Sequence, residues 1–211
     1  VDNWPLVDVL SVKFGVPAFI GNDVQSLALA ENYFGSTQDV DDSILIRVHR
    51  GVGSGVVINQ QLFQNHNQST GEVGHIQVEL LGDRCHCGNF GCLENTVVNK
   101  AIEQRARQLL EQNYPSKLTL ENCNIKEISR LANEGDELAV HLIQQAGHNL
   151  GRAIAILVNL FNPQKIVIAG EITVAEKVLF PILNSVLNSQ ALKTFRDNLK
   201  IGRSVLDDTS A

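Results

Sequence analysis

Three of the chain's four cysteines fall in one short segment, Cys85-His86-Cys87-Gly88-Asn89-Phe90-Gly91-Cys92, while Cys123 stands apart. That spacing constrains the fold more than any other feature. Cys85 and Cys87 have a single residue between them and cannot bridge each other without strain. A remote fourth thiol is poor material for a disulfide framework in a chain of 211 residues. A reducing cytoplasm and a bound metal are the better reading. Three thiolates and one imidazole make a tetrahedral zinc site, and Gly88 and Gly91 let the loop curl around the ion. The fourth ligand is either the adjacent His86 or the more distant His75. His75 is favoured, because it follows Gly74 and approaches from across the site, whereas His86 sits between two ligands and would strain the loop. Cys123 reads as an ordinary thiol.

Around this loop, apolar runs alternate between strand and helix. Asn3 is placed to cap a helix with Pro5 in its first turn, closed by Gly15 in a left-handed conformation. Val16 to Ile20 reads as a short strand, followed by Asn22-Asp23 and a helix from Val24 to Phe34. Ser43 to Val48 is β-branched and mostly apolar, the pattern of a strand buried on both faces. Gly51 to Gly55 leads into Val56-Val57-Ile58, and Asn59-Gln60 turns the chain into Leu62-Phe63, a hairpin. Residues 64 to 70 form a polar loop, and Val97 to Gln112 reads as helix. Glu137 to Leu160 carries apolar residues at near-helical spacing and predicts one long helix that Asn162-Pro163 stops. Lys165 to Gly170 is a buried strand, a helix runs from about Val174 to Asn188, and Ile201 to Leu206 is a last strand. The alternation predicts an α/β fold, with a soft boundary at the charged break between Thr37 and Asp42.

Composition excludes some functions. Lys plus Arg is 17 and Asp plus Glu is 23, a formal charge of −6. An acidic stretch without a basic run does not hold nucleic acid by itself. Ala153 to Phe161 is too short and too interrupted to cross a bilayer. No signal peptide is recognisable, and a chain without Met reads as part of a longer protein.

Carboxylates gather near the cysteine loop. Asp23 stands where a strand gives way to a helix, a common place for a site residue in α/β folds, although helix capping explains it equally well. Gly71-Glu72-Val73-Gly74-His75 sets a carboxylate and an imidazole between glycines, and Glu94 follows Cys92 by two residues. If His75 ligates zinc, Glu72, His75 and Glu94 share one small volume, an arrangement that suits the hydroxyl groups of a sugar.

At this point the chain resembles the ROK family (repressors, open reading frames and kinases). The segment Gly51-x-Gly53-x-Gly55 through Gly71-x-x-Gly74-His75 is similar to the family signature, departing at Asn65 where a glycine is usual. The loop Cys85-x-Cys87-x-x-x-x-Cys92-Leu93-Glu94 is similar to the family's zinc loop, and Asn22-Asp23 followed by Ala28, Ala30 and Glu31 also matches. The resemblance implies an actin-like (ribonuclease H-like) fold of two α/β lobes with the sugar between them. Residues 1–38 would be the end of the N-terminal lobe, and residues 39–211 the C-terminal lobe with its zinc loop at 85–92. It implies sugar contacts from Asn22, Asp23, Glu72, His75 and Glu94, with His75 serving zinc through one ring nitrogen and sugar through the other. The metal ligands would be His75, Cys85, Cys87 and Cys92.

The family divides into sugar kinases and sugar-responsive repressors. In the kinases the position of Asp23 is the general base, which keeps that alternative open. Two departures point away from it. Where the kinases resemble one another in a Gly-Thr-Gly turn for phosphate, this chain has His49-Arg50-Gly51-Val52; where they keep a glycine-rich turn near adenosine, it has Gly170-Glu171-Ile172. Three stretches, Val1 to Leu6, Leu27 to Gly35 and Asn159 to Lys165, look very like the family's amino-sugar-responsive repressors. That resemblance implies N-acetylglucosamine 6-phosphate as inducer, operator DNA bound through a helix-turn-helix that this chain does not contain, and a homodimer or homotetramer. Arg50 is expected near Asp23, where its guanidinium would receive the 6-phosphate through a bidentate pair.

Overall fold

The computed structural model describes residues 5–64 and 70–206. Its elements in chain order are α1 (Leu6–Phe14), α2 (Asp23–Phe34), β1 (Ser43–Val48), β2 (Val52–Ile58), β3 (Gln61–Leu62), α3 (Glu94–Val97), α4 (Asn99–Glu111), α5 (Ile125–Asn133), α6 (Glu137–Phe161), β4 (Lys165–Ala169), α7 (Glu176–Gln190), α8 (Lys193–Arg196) and β5 (Lys200–Arg203). The strands form one sheet in the order β3-β2-β1-β4-β5, with β1 antiparallel to β2 and parallel to β4.

The side-chain alternation of β1 explains why the sheet has two covered faces. Ile44, Ile46 and Val48 enter the large core together with Leu150, Ile154 and Val158 of α6. Leu45 points the other way and packs with Ala28 of α2, Val57 and Val167. A strand covered on both sides reads as an almost unbroken apolar run, as β1 and β4 do. Between β2 and β3, Asn59 and Gln60 both take positive φ, 51° and 61°, the left-handed pair that a two-residue hairpin requires.

Helix α6 carries 25 residues, a length of roughly 37 Å at the standard rise. Asp136 caps its start by accepting from the Ala139 amide, and Asn162 ends it in the left-handed region. Its contact with α7 depends on Gly151, where an added Cβ would lie 2.9 Å from the Val186 Cβ.

Several expectations are met: Gly15 closes α1 at φ 66°, and the long helix, the hairpin and both central strands lie where the pattern places them. Others are corrected. Residues 16–20 belong to no strand, because no described strand lies alongside to complete a ladder, and Phe19 is almost fully exposed. The predicted helix at 97–112 is interrupted at Val98, which is extended because the Asn99 amide donates to the His49 carbonyl at 3.1 Å. The later helix begins at Glu176 after a single 3₁₀ turn, and the last strand is Lys200–Arg203. Helices α5 and α8 have no counterpart in the periodicity argument. The proposed cap Asn3, Asn65 and most of the polar loop at 64–70 lie outside the described residues.

Candidate functional site

The cysteine segment folds as a tight loop strapped to the chain that precedes it. Cys92 pairs with Gln77, Arg84 with Phe90, and the Leu93 amide donates to the Ile76 carbonyl at 2.9 Å. Gly91 is obligatory here: φ is +66° and a Cβ would lie 1.7 Å from the Glu79 carbonyl oxygen. This strapping brings residue 75 to the thiols despite ten residues of separation from Cys85.

The ligand atoms of His75, Cys85, Cys87 and Cys92 all lie within 4.8 Å of one another. The His75 Nδ1 is 3.7 Å from the Cys85 Sγ, and the Cys87 and Cys92 sulfurs are 3.7 Å apart. A tetrahedral zinc with ordinary bond lengths sets sulfur–sulfur edges of about 3.8 Å and nitrogen–sulfur edges of about 3.6 Å. The spacing therefore fits a four-coordinate ion. The two histidines group differently: His75 lies with all three thiols, and His86 with Cys85 and Glu94. His86 approaches only Cys85, at 3.8 Å, while its Nδ1 faces Glu94 at 3.3 Å in an exposed position.

The thiols differ in their surroundings. Burial, then the neighbouring Cys87 and Cys85 thiols, pushes Cys92 up to about 12. The backbone amide of Asn89 pulls exposed Cys87 below the ordinary thiol value. A cation placed among the sulfurs would favour the thiolate that burial disfavours at Cys92.

Beside the loop lies a cleft of about 420 Å³ lined by Asn22, Asp23, Arg50, Glu72 and Glu94 of the expected set, and also by Arg47, His49, Ser54 and Thr70. Such a volume suits a small polar ligand. His75 belongs to the thiol cluster and is not among the residues lining the cleft. Glu94 connects the two regions, since one carboxylate oxygen faces His86 and the other accepts from the Val52 amide at 3.2 Å.

The structure gives Asp23 a part in both roles open to it, a bond to the first turn of α2 and a place in the cleft. Asn22 caps α2, its side chain accepting from the amides of Val24 and Gln25. Asp23 is the first residue of α2; its Oδ1 also accepts from the Val24 amide at 2.9 Å, and its Oδ2 accepts from Arg47 Nη1 at 3.2 Å. Arg47, a residue the sequence reading does not single out, is placed by the strand alternation that also aims Leu45 at α2. A lone Arg ending an otherwise apolar strand is the signal that would have found it.

At the departures from the kinase pattern, His49 and Glu171 face each other at 3.6 Å, and Asn99 Nδ2 donates to Glu171 at 2.8 Å. These three side chains link the β1–β2 turn to the end of β4.

Comparisons with known proteins place the chain among regulators and kinases of similar sequence and fold. The chain is 58% identical over 211 residues to the DNA-binding transcriptional dual regulator NagC of Escherichia coli K12, covering 100% of this chain and 52% of that protein. It is 30% identical over 210 residues to a glucokinase of Thermotoga maritima, covering 97% of this chain and 66% of the enzyme. The crystal structure of a ROK family transcriptional regulator described as a homologue of the E. coli MLC protein superposes with a TM-score of 0.93 at 42% identity, covering 97% of this chain and 52% of that one. The chain thus spans about half the length of the regulators it matches. The ROK family profile matches residues 1–211. The chain belongs to the ROK family.

Proposed function

We propose that this chain is the ligand-sensing part of a sugar-responsive transcriptional repressor of amino-sugar utilisation, with N-acetylglucosamine 6-phosphate as inducer. The observation that carries the reading is the cleft itself. It gathers acceptors from Asn22, Asp23, Glu72 and Glu94 and the guanidinium groups of Arg47 and Arg50 in one small volume. Acceptors suit sugar hydroxyls, and guanidinium groups suit a phosphomonoester. The similarity to NagC supports the same reading.

Operator DNA would be contacted by a helix-turn-helix outside this chain, in a homodimer or homotetramer. Residues 1–38 are then the end of a first lobe, with α2 lying against β1 and β2 of the second. Zinc is the metal of choice for His75, Cys85, Cys87 and Cys92, because three sulfurs and one nitrogen at tetrahedral spacing match its preference. Bound there, it supplies a rigid cross-link; the protein's own part is to hold Glu94 between the loop and the cleft. Among the described residues, no helix is long and apolar enough to cross a membrane.

A kinase is the second reading, favoured by the cleft position of Asp23 and by the glucokinase relative. Against it, Asp23 already accepts from Arg47, and the His49–Glu171–Asn99 cluster occupies the region where the kinases keep small residues. Titration of the intact protein with N-acetylglucosamine 6-phosphate, followed by operator release, tests the proposal. Micromolar binding with loss of operator affinity is expected. Phosphorylation of N-acetylglucosamine from ATP, with no effect of the phosphosugar on DNA, would overturn it.

A further inference from the structure

One sulfur of the metal loop is approached by two imidazoles. The Cys85 Sγ lies 3.7 Å from the His75 Nδ1 and 3.8 Å from the His86 Nδ1, and the two rings meet edge to face with centroids 5.2 Å apart. The four-ligand site uses His75 alone. Cys85, His86 and Glu94 form a second group, whose ligand atoms also lie within 4.8 Å of one another. Within it the His86 Nδ1 is 3.3 Å from the Glu94 Oε1. Zinc with ordinary bond lengths sets nitrogen–sulfur edges of about 3.6 Å and nitrogen–oxygen edges of about 3.4 Å. Both distances therefore suit one ion held by a thiolate, an imidazole and a carboxylate.

The fold places two of these groups independently of each other. Cys85 is buried, and its amide donates to the Asn89 carbonyl at 2.7 Å. Glu94 begins α3, and its Oε2 accepts from the Val52 amide at 3.2 Å. The same oxygen is seated against Gly51, where an added Cβ would come within 3.0 Å of it. Anchoring Oε2 in this way leaves Oε1 turned to the loop. His86 is largely exposed, so an ion can reach the group from solvent and keep a fourth position for water.

We propose that Cys85, His86 and Glu94 bind a second zinc ion, with the Cys85 sulfur bridging it to the ion of the four-ligand site, and that this second ion opposes sugar binding. The antagonism rests on the sugar-sensing reading above and on a filled first site. A thiolate keeps lone pairs after it has bound one metal, so a single sulfur serves two. Three protein ligands with an open position hold the second ion less firmly than four closed ligands hold the first. Glu94 couples this ion to the cleft, which it also lines. Its Oε2 is already engaged by an amide, so a metal on Oε1 takes the oxygen left for a sugar hydroxyl. Ion and sugar then compete for one atom.

The test dialyses the intact, zinc-loaded protein against excess zinc and measures metal per chain by elemental analysis. Wild type is expected to hold one equivalent more than His86→Ala, which keeps the first ion. His141→Ala, which removes a histidine stacked on Tyr114, should match wild type. Cobalt(II) added to the zinc-loaded protein reports the donor. A thiolate-to-cobalt charge-transfer band that is present in wild type and lost in His86→Ala marks Cys85 as the bridge. At free zinc about ten times the dissociation constant of the second site, N-acetylglucosamine 6-phosphate should bind wild type about tenfold more weakly, with no change in His86→Ala. Equal zinc content in wild type and His86→Ala, or cobalt uptake without the thiolate band, would overturn the second site and leave the sensor intact. Second-site zinc that leaves phosphosugar affinity unchanged overturns the antagonism. A protein that takes up both ions but binds no phosphosugar removes the sensor reading and the antagonism together, and leaves the metal site standing.

Discussion

Glu31 is a fully buried carboxylate that forms no ion pair among the described residues, and its replacement by glutamine tests how this fold is held at its far end. Its Oε1 accepts from the Ser204 hydroxyl and from the amides of Val205 and Leu206 at 2.9 and 3.0 Å. Its Oε2 accepts from the Ser36 amide at 2.6 Å and the Ser36 hydroxyl at 2.7 Å. Five donors therefore converge on two oxygens, tying the end of α2 to the segment that leaves β5. Burial pushes this carboxyl up, but the bonds from Ser204, then Ser36 and Leu206, outweigh burial and hold it below its ordinary 4.5. In Glu31→Gln the three bonds at Oε1 survive, while the amide NH₂ is turned towards the Ser36 donors. One orphaned buried amide and the loss of charge assistance cost about 2–4 kcal/mol together. The pH dependence follows from the sign of the shift. A depressed pKa contributes stability above the unfolded value of 4.5, and that contribution disappears as pH falls through the folded pKa. Urea unfolding of wild type and variant between pH 7 and pH 3 should show the full gap near neutrality. The gap should narrow at the acid end, where a protonated glutamic acid offers little more than glutamine. A gap below about 0.5 kcal/mol at pH 7, within the range of ordinary surface substitutions, or one that stays constant to pH 3, would refute the reasoning.

Two further outcomes concern the metal loop. His75→Ala should lose bound zinc, measured by elemental analysis of protein purified without chelator, whereas His86→Ala should retain it; the reverse pattern would reassign the fourth ligand. Gly91→Ala faces both a left-handed backbone, worth about 1–2 kcal/mol, and a Cβ 1.7 Å from the Glu79 carbonyl oxygen. It should therefore lower zinc occupancy and Tm together, and an unchanged Tm would show that the loop tolerates rearrangement.

Much of the fold is legible along the chain because its signals are local. The apolar runs of β1 and β4, the left-handed Asn59-Gln60 turn and the helical period of α6 each arise from a few neighbouring residues. So does the density of thiols at 85–92. The preference for His75 over His86 is likewise an argument from loop geometry, and the structure places His75 with all three thiols and His86 with Cys85 and Glu94. Where a signal depended on a neighbour it failed. Residues 16–20 have strand composition, yet a strand exists only through its ladder, and none of the described strands runs beside them. Val98 sits in a helical pattern but is extended because a distant carbonyl, that of His49, takes the next amide.

The site divides in the same way. Sequence determined which residue types are available: the thiols, the imidazole, the carboxylates between glycines, and Arg50 in the turn. Only the tertiary structure decided that Asn22 is the N-cap of α2 while Asp23 both accepts a first-turn amide and faces the cleft, that Arg47 reaches Asp23 across the sheet, and that His49, Asn99 and Glu171 meet at one end. The physical reason is that caps, ladders and metal loops are written in short stretches of chain. Pairings between β1 and α2, or between the first hairpin and the end of β4, depend on how closely the sheet's two faces are covered, and packing across such separations leaves no local mark.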